Sequence, residues 1–227
     1  MKRLILSSMA VISIAIISFA FQPSPKKTVT KNQAATAQNK VTTQQKKTLP
    51  DVSEPAKWTV DKAHSNVKFN VTHMVVSEVE GSFKLFDGTM EHSKPDFSDA
   101  KVNFTVDVAS INTDNDNRDK HLKSDDFFNA EKFPSMKFVS TSIKNAGGNK
   151  YKLAGNLTIR DVTKPVVFDV TYGGQVANQG KTKAGFKAKT TINRFDYNLK
   201  WDKATEAGGL VVSKEVELLL NLEMNKA

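Results

Sequence analysis

The side chains most able to do chemistry in this chain are four histidines, His64, His73, His92 and His121. Their spacing does not match a metal site, because no His-x-x-x-His pair occurs and the chain has no cysteine to complete a tetrahedral set. The sequence also lacks a Gly-rich phosphate loop and a nucleophile elbow. We therefore expect no metal, no catalytic residues and no enzymatic activity.

Two pairs of residues are of types found in catalytic sites, but each pair also has a simpler structural role. Asp61 and His64 flank a predicted strand, where a hydrogen bond within a turn accounts for both. Asp125 and Asp126 are adjacent carboxylates in a polar connection, an arrangement that more often forms a solvated cap than an acid–base pair. His73 is in phase with the apolar residues of its strand, so we expect it to face the interior, either as a hydrogen-bonded core residue or in contact with the head of a ligand.

The elements that would position these residues are strands, since apolar and polar residues alternate nearly everywhere from Trp58 onward. Five apolar residues between Val216 and Met224 share one face, and a slip of one residue would expose all of them. The phase breaks at Leu85 and Phe86, as at a β-bulge. Eight strands with mostly short turns predict an all-β fold, an eight-stranded antiparallel up-and-down barrel. A sandwich is the alternative architecture.

Two connections are longer than hairpin turns, and functional residues are often found in such segments. The first, residues 110–135, contains a predicted short helix that Asn115 or Asp116 would cap and that runs through Leu122. The second, residues 195–212, is expected to cover another rim of the barrel.

Three phenylalanines, Phe127, Phe128 and Phe133, follow the predicted helix within a polar segment. Their rings need an apolar surface to pack on. The segment is therefore expected either to plug one end of the barrel or to gate a ligand.

Most of the net charge of +9 lies before the predicted barrel. Residues 1–57 hold nine basic and two acidic residues, whereas residues 58–227 hold 24 basic and 22 acidic ones. No run of lysine and arginine with interspersed aromatic residues occurs after residue 58. The folded part is nearly neutral, so we expect no nucleic-acid partner.

Residues 1–20 are predicted to be a signal peptide. Lys2 and Arg3 precede an apolar stretch, and small residues at Ser18 and Ala20 fit cleavage after Ala20. An uncleaved membrane anchor is the alternative. Export of this kind predicts a periplasmic or extracellular protein.

Residues 21–57 are predicted to be a flexible tether rich in lysine, glutamine and threonine. The segment cannot bury enough apolar area to offset its ordering entropy. Residues 58–227 are then the folded domain.

Short motifs follow one another from about Trp58 to the C-terminus. They are Asp61-Lys-Ala-His64-Ser65 with Phe69 and His73, Gly81-Ser-Phe83, Ser110-Ile111-Asn-Thr113, Arg118-Asp119-Lys-His121-Leu122, Phe127-Phe128, Phe133-Pro134 with Phe138, Gly155-Asn-Leu157-Thr158-Ile159, Val162-Thr163-Lys164 and Arg194-Phe195-Asp196-Tyr197. In this order they resemble the YceI family. Asp161, where such proteins often have glycine, is a departure that affects a turn.

The resemblance implies a secreted, lipocalin-like barrel that binds, without transforming it, an amphiphile with a long isoprenoid tail, such as polyprenyl phosphate or a respiratory quinone. The bound lipid would be a ligand, and no cofactor is expected. Transient contact with a membrane surface is compatible with such a ligand, and the oligomeric state is open between monomer and dimer. The alternative function is a quinone- or haem-linked redox accessory protein of the cell envelope.

The tail would lie in an apolar tunnel with Phe127 and Phe128 at its mouth, although the same side chains could simply fill the core. By resemblance, His64, His73, Arg118 and His121 are candidates for the polar end. Arg118 and Asp119 are equally suited to a structural pair that pins the loop. The expected tunnel residues are Val67, Phe69, Val71, Phe83, Phe104, Val106, Phe127, Phe128, Leu157, Phe168, Val170 and Phe186.

Overall fold

The computed structural model of the chain describes residues 55–178, 180–205 and 210–227. The predicted signal peptide and most of the predicted tether lie outside these residues. One α-helix, α1, spans Asp116–Lys123, and two short 3₁₀ helices span Val108–Ser110 and Arg194–Tyr197. The strands are β1 (Ala56–Val60), β2 (Asn66–His73), β3 (Ser77–Phe83), β4 (Phe86–His92), β5 (Lys101–Asp107), β6 (Ile111–Asn112), β7 (Ser135–Asn145), β8 (Lys150–Ile159), β9 (Val162–Asn178), β10 (Lys181–Asn193) and β11 (Val212–Lys226).

Within the described ranges these segments form a closed antiparallel barrel of eight strands. Three of the eight barrel strands are each interrupted once. The two parts of these strands are β1 and β2, β3 and β4, and β5 and β6. The barrel closes where β1 and β2 both pair with β11, through Val60 opposite Met224 and Val67 opposite Leu220. The predicted up-and-down barrel is confirmed, and the sandwich alternative is wrong. The predicted bulge at Leu85 is a full break between β3 and β4.

The two ends of the barrel differ in their connections. We call the upper end the one that holds the β2–β3 turn, the β8–β9 turn and the segments 113–134 and 194–205. The lower end holds the β4–β5, β7–β8 and β9–β10 connections.

The sheet is interrupted near the upper end. Among the described residues β6 pairs only with β3, whereas β7 pairs with β5 and β8. The segment 113–134 connects β6 to β7 and carries α1. Three of its side chains, Leu122, Phe127 and Phe128, face the barrel interior there.

The helix α1 begins where the sequence predicts it. The side chain of Asn115 accepts a hydrogen bond from the backbone N–H of Arg118 at 3.0 Å, which satisfies one donor of the first turn. Asp116 and Asp119 lie in the first turn and basic residues lie in the last, so the charges at both ends interact favourably with the helix dipole. Among the described residues no helix is long and apolar enough to cross a membrane.

The lower end is closed by an aromatic cluster around Phe97, which lies in the connection between β4 and β5 and is buried. This ring meets four other rings nearly edge-on, with centroid distances of 4.7 to 5.9 Å. The interior is therefore solid at this end. The rings that Phe97 contacts are those of His92, Tyr151, Tyr172 and Phe186.

Candidate ligand-binding cavity

The barrel encloses an apolar cavity of about 180 Å³ above the Phe97 cluster. All eight strands contribute to its wall, as do Leu122, Phe127, Phe128 and Leu199 from the upper end. Every lining residue is apolar except Lys68, Lys137 and Arg194. The sequence is compatible with either a filled core or a tunnel, and the structure has a cavity in the barrel interior.

Most of the expected tunnel residues line this cavity. Their neighbours on the same inward faces complete the wall. The ten expected residues in the lining are Val67, Phe69, Val71, Phe83, Phe104, Val106, Phe127, Phe128, Leu157 and Phe168.

Two expected tunnel residues lie elsewhere. Phe186 packs on Tyr172, with ring centroids 5.2 Å apart, and on Phe97, so it belongs to the closed lower end. Val170 is buried opposite Tyr151 and Ala188, also outside the lining. Strand periodicity gave the inward direction of both side chains but not their height along the barrel.

Several lining residues were absent from the expectation. The largest group, Val216, Leu218, Leu220 and Leu222, comes from β11. Their alternation in the sequence is the clearest in the chain and would have identified them. The further lining residues are Val102, Leu122, Met136, Phe138, Leu153, Ile159, Ala188, Ile192, Leu199 and Val212, together with the cations Lys68, Lys137 and Arg194.

The inward-facing leucines of β11 are less buried than the cavity-lining residues of β8. Leu218, Leu220 and Leu222 are half-buried although they face inward, whereas the cavity-lining residues of β8 on the other wall are buried. Side chains that keep exposed apolar area inside a barrel have that area available for an apolar ligand. The wall formed by β11 is therefore the part of the cavity best able to gain by binding one.

Arg160 fastens the upper segments to one another. This residue is in the turn between β8 and β9, and one guanidinium nitrogen donates to the carbonyls of Asp125, Phe127 and Asn198 at 2.7 to 3.2 Å. Its other terminal nitrogen donates to Asp125 Oδ1 at 3.1 Å. The ring of Phe127 stacks at a tilt on Trp201, with centroids 5.5 Å apart. Phe127 is thus held over the cavity from two sides.

Thr113 anchors the start of the same segment. Asp119 Oδ1 accepts hydrogen bonds from the backbone N–H and the hydroxyl of Thr113, at 2.9 and 2.5 Å. Arg118 donates to the hydroxyl and the carbonyl of Thr113, at 2.8 and 2.7 Å. Arg118 and Asp119 therefore pin the loop through a shared partner.

Arg194 is a buried cation in the cavity wall, with 3% of its surface exposed. Its guanidinium donates to four backbone carbonyls and lies over the ring of Phe195 at 4.4 Å. Burial lowers the pKa of this guanidinium from its usual value. The carbonyls belong to Leu199, Trp201, Val212 and Ser213, so this one side chain organises the segment before β11.

The four candidates for the polar end do not come together. His64 is on the outer surface beside β1, and its Nδ1 is 3.0 Å from Asp61 Oδ2, the turn contact that the sequence suggests. His73 ends β2, is half-buried and lies outside the cavity lining. Arg118 is engaged with Thr113. His121 is the candidate that contacts the aromatic cover of the cavity, since its ring meets those of Phe127 and Trp201 at 5.0 and 5.4 Å.

A cluster of charged residues joins β1, β10 and β11 on the outer surface. Asp61, His64 and Glu223 lie close enough to hold a metal ion, an arrangement that sequence spacing could not reveal because Glu223 is distant in the chain. Lys183 Nζ already binds both carboxylates, at 3.0 Å from Asp61 Oδ2 and 2.5 Å from Glu223 Oε1. The hydrogen bond from Lys183, and after it the one with His64, lowers the pKa of Asp61 well below its usual range. The hydrogen bonds to Glu223 and Asp61 raise the pKa of Lys183.

The model of the YceI-like domain family matches residues 58–224. Curated relatives include the UPF0312 protein SAS2572 of Staphylococcus aureus strain MSSA476, which is 38% identical over 170 residues. The alignment covers 74% of this chain and 96% of that protein.

Solved structures show the same barrel. BcnA of Burkholderia cenocepacia has a TM-score of 0.62 at 28% identity, covering 72% of this chain and 98% of that one. The YCEI protein of Campylobacter jejuni has a TM-score of 0.60 at 34% identity, with coverage of 74% and 96%. A polyisoprenoid binding domain from Saccharophagus degradans has a TM-score of 0.55 with coverage of 75% and 98%, and at 14% identity it shows the fold alone.

Proposed function

This chain belongs to the YceI-like family, and we propose that it is a binding protein, not an enzyme, that holds an amphiphile with a long isoprenoid tail in its barrel cavity. The ligand would be a polyprenyl phosphate or a quinone. We further propose that the protein is exported and acts as a carrier. The polyisoprenoid binding named for the Saccharophagus degradans domain supports this choice of ligand.

The apolar cavity is the observation that carries the proposal. Its wall offers hydrocarbon from all eight strands, and burial of apolar area stabilises a bound tail by about 25 cal/mol per Å² before ordering costs. Such a wall supplies affinity for hydrocarbon, and its buried cation, Arg194, is occupied by four backbone carbonyls. A binding role follows more directly from it than a catalytic one.

The cavity volume also sets a requirement. A protein cavity of about 150 Å³ holds a benzene-sized molecule, so about 180 Å³ accommodates only a short part of a tail. A long tail must therefore displace side chains as it enters. The half-buried leucines of β11 and the segment 113–134 are the parts of the wall that could yield.

The polar head would lie at the upper end, near Phe127 and Phe128. His121 is the one of the four predicted polar residues placed against these aromatic side chains. Its Nε2 is 3.0 Å from Asp126 Oδ2, so both groups could contact a polar head at the edge of the segment.

The test combines extraction and titration. Organic extraction and mass spectrometry of the purified protein should recover an isoprenoid lipid. In titrations followed by tryptophan fluorescence, with Trp201 as the reporter beside Phe127, affinity should rise from geraniol to farnesol to geranylgeraniol. Absence of co-purified lipid together with no binding of any prenol or quinone would overturn the proposal.

Two neighbouring leucines give a matched pair of variants. Leu218 lines the cavity, whereas alternation places Leu219 on the outer face. Leu218→Trp should weaken farnesol binding at least about tenfold because the indole occupies the cavity, while Leu219→Trp should stay within about twofold of the original protein.

Export is tested separately. The N-terminal sequence of the secreted protein should begin at Phe21 if cleavage follows Ala20. Recovery of the full chain in the membrane fraction would instead indicate the uncleaved anchor.

A further inference from the structure

The turn between β2 and β3 presents three apolar side chains to solvent. Met74, Val75 and Val76 are 48%, 77% and 85% exposed, and Val76 is the most exposed of the large apolar residues in the described ranges. Hairpin turns normally carry polar residues or glycine at such positions. The local sequence therefore departs from what the turn itself requires.

The backbone of this turn makes the departure larger. Met74 and Val75 have φ of 50° and 64°, and the N–H of Val76 donates to the carbonyl of His73 at 3.2 Å. Two successive positive φ values are the pattern of a type I′ turn, which favours Asn-Gly. A β-branched residue such as Val75 is strongly disfavoured there. An exposed and strained valine is a reason to look for a function of the side chain.

The turn lies at the upper end, beside the cavity. His73 is opposite Val212, and Val212 and Val71 both line the cavity. The N–H of Met74 donates to the carbonyl of Val211 at 2.9 Å, which fixes the turn to the segment before β11. The exposed side chains therefore project from the same end as Phe127 and Phe128.

We propose that Met74, Val75 and Val76 insert into a lipid surface and dock the upper end of the barrel on it. The three residues are uncharged and form a convex tip, a shape that can penetrate the interface of a bilayer but offers no groove to a folded partner. A stable dimer normally buries about 1,200 Å² or more, which three side chains on one tip do not supply. The proposal uses the position of the cavity and does not depend on which ligand the cavity holds.

The chain has no cysteine, so a single labelling site can be introduced at the tip. Val76→Cys labelled with an environment-sensitive fluorophore should show a blue shift on vesicles of phosphatidylcholine and phosphatidylglycerol. Val176→Cys is the matched control, since Val176 is 60% exposed on β9 toward the lower end and should show no shift. Equal responses of the two labels would overturn the proposal.

A second variant separates function from folding. Met74→Asn combined with Val75→Gly gives the turn its preferred residues, so the melting temperature should rise while the partition coefficient onto vesicles falls at least about tenfold. Unchanged vesicle binding by this variant would contradict docking through the tip. Concentration-dependent dimers of the original protein that the variant abolishes, without vesicle binding, would assign the tip to a second copy instead.

Geraniol titration without vesicles distinguishes this proposal from the proposed function. The double variant should bind geraniol within about twofold of the original protein, because the tip is outside the cavity lining. If the original protein binds vesicles through the tip but contains no co-purified lipid and binds neither prenols nor quinones, the docking proposal stands and the proposed function fails.

Discussion

The ring of Phe69 on β2 occupies the space directly over Gly81 on β3, its partner across the sheet. A Cβ placed on Gly81 would stand 2.2 Å from Cζ of Phe69, a distance that real contacts do not reach. Phe104 covers its partner Gly88 in the same way, and the ring of Phe138 covers Gly155, which pairs with Ser140 on the same strand as Phe138. Glycines of one strand thus make room for the cavity-lining rings of the next.

Gly81→Ala should destabilise the barrel by about 1 to 3 kcal/mol, because the added methyl group forces the ring of Phe69 off its position. It should also reduce farnesol binding, since Phe69 lines the cavity and its displaced ring would change the shape of that wall. Urea denaturation and prenol titration measure the two effects. Gly185→Ala is the control, as no atom lies within 4 Å of a Cβ there. Recovery of stability by adding Phe69→Leu would establish the steric cause.

Arg160→Met should loosen the cover over the cavity. The change removes the hydrogen bonds to Asp125, Phe127 and Asn198, so we expect the free energy of opening this segment to fall by about 2 kcal/mol. Amide exchange between residues 122 and 130 should become at least about tenfold faster. Hydrogen-exchange mass spectrometry measures the local effect. Lys120→Met, at an exposed position of α1, should leave exchange unchanged. A uniform increase over all strands would contradict a local role for Arg160.

Asp61 should make the fold sensitive to acid. Its pKa is lowered by the hydrogen bond from Lys183, so the unfolded state binds a proton more readily than the folded one. The stabilisation is complete above about pH 4, the ordinary aspartate range, and is lost as pH falls further toward the folded-state pKa. Unfolding free energies from urea titrations should therefore decline less below about pH 4 for Asp61→Asn than for the original protein. Glu91→Gln, an exposed position, should decline like the original.

Tyr197 should limit stability at the alkaline end. Burial raises the pKa of Tyr197 to about 12, whereas an unfolded tyrosine ionises near about pH 10. The unfolded state therefore loses its proton first, and stability should fall by about 3 kcal/mol as pH rises from about 10 through about 12. Tyr197→Phe should remove this part of the pH dependence. Ultraviolet titration of the folded protein that shows Tyr197 ionising near pH 10 would contradict the burial effect.

Strand alternation predicts the barrel because each strand has one apolar face and short turns leave few ways to connect eight strands. The helix follows equally from local signals, since Asn115 caps it and its first turn is acidic while its last turn is basic. The interruption of three strands is harder to predict from the sequence. β1, for example, is distinguished from β2 only by the turn at Asp61–Ser65, which depends on contacts with Glu223 on β11.

The sequence predicts which kinds of residue line the cavity but not where the cavity ends along the barrel. Periodicity predicts that the side chains of both Phe168 and Phe186 point inward, yet only Phe168 lines the cavity. The ring of Phe186 packs on Phe97, which lies in a loop where the sequence has no periodic pattern. The links made by Arg160, Lys183 and Arg194 join residues far apart in the chain or bind backbone carbonyls. Neither kind of contact leaves a pattern in a single sequence.

Because β6 and β7 are not paired with each other in the described ranges, the segment between them can open locally. Displacement of the segment 113–134 breaks side-chain contacts and a few hydrogen bonds at its edges, but no strand pairing among the described residues. The free energy of this local opening is then set by contacts of Thr113, Phe127 and Arg160 and does not include the free energy of breaking the strand ladders. Under the proposed function, ligand entry can therefore be altered by substitutions within one short stretch of the chain, without any change in strand pairing.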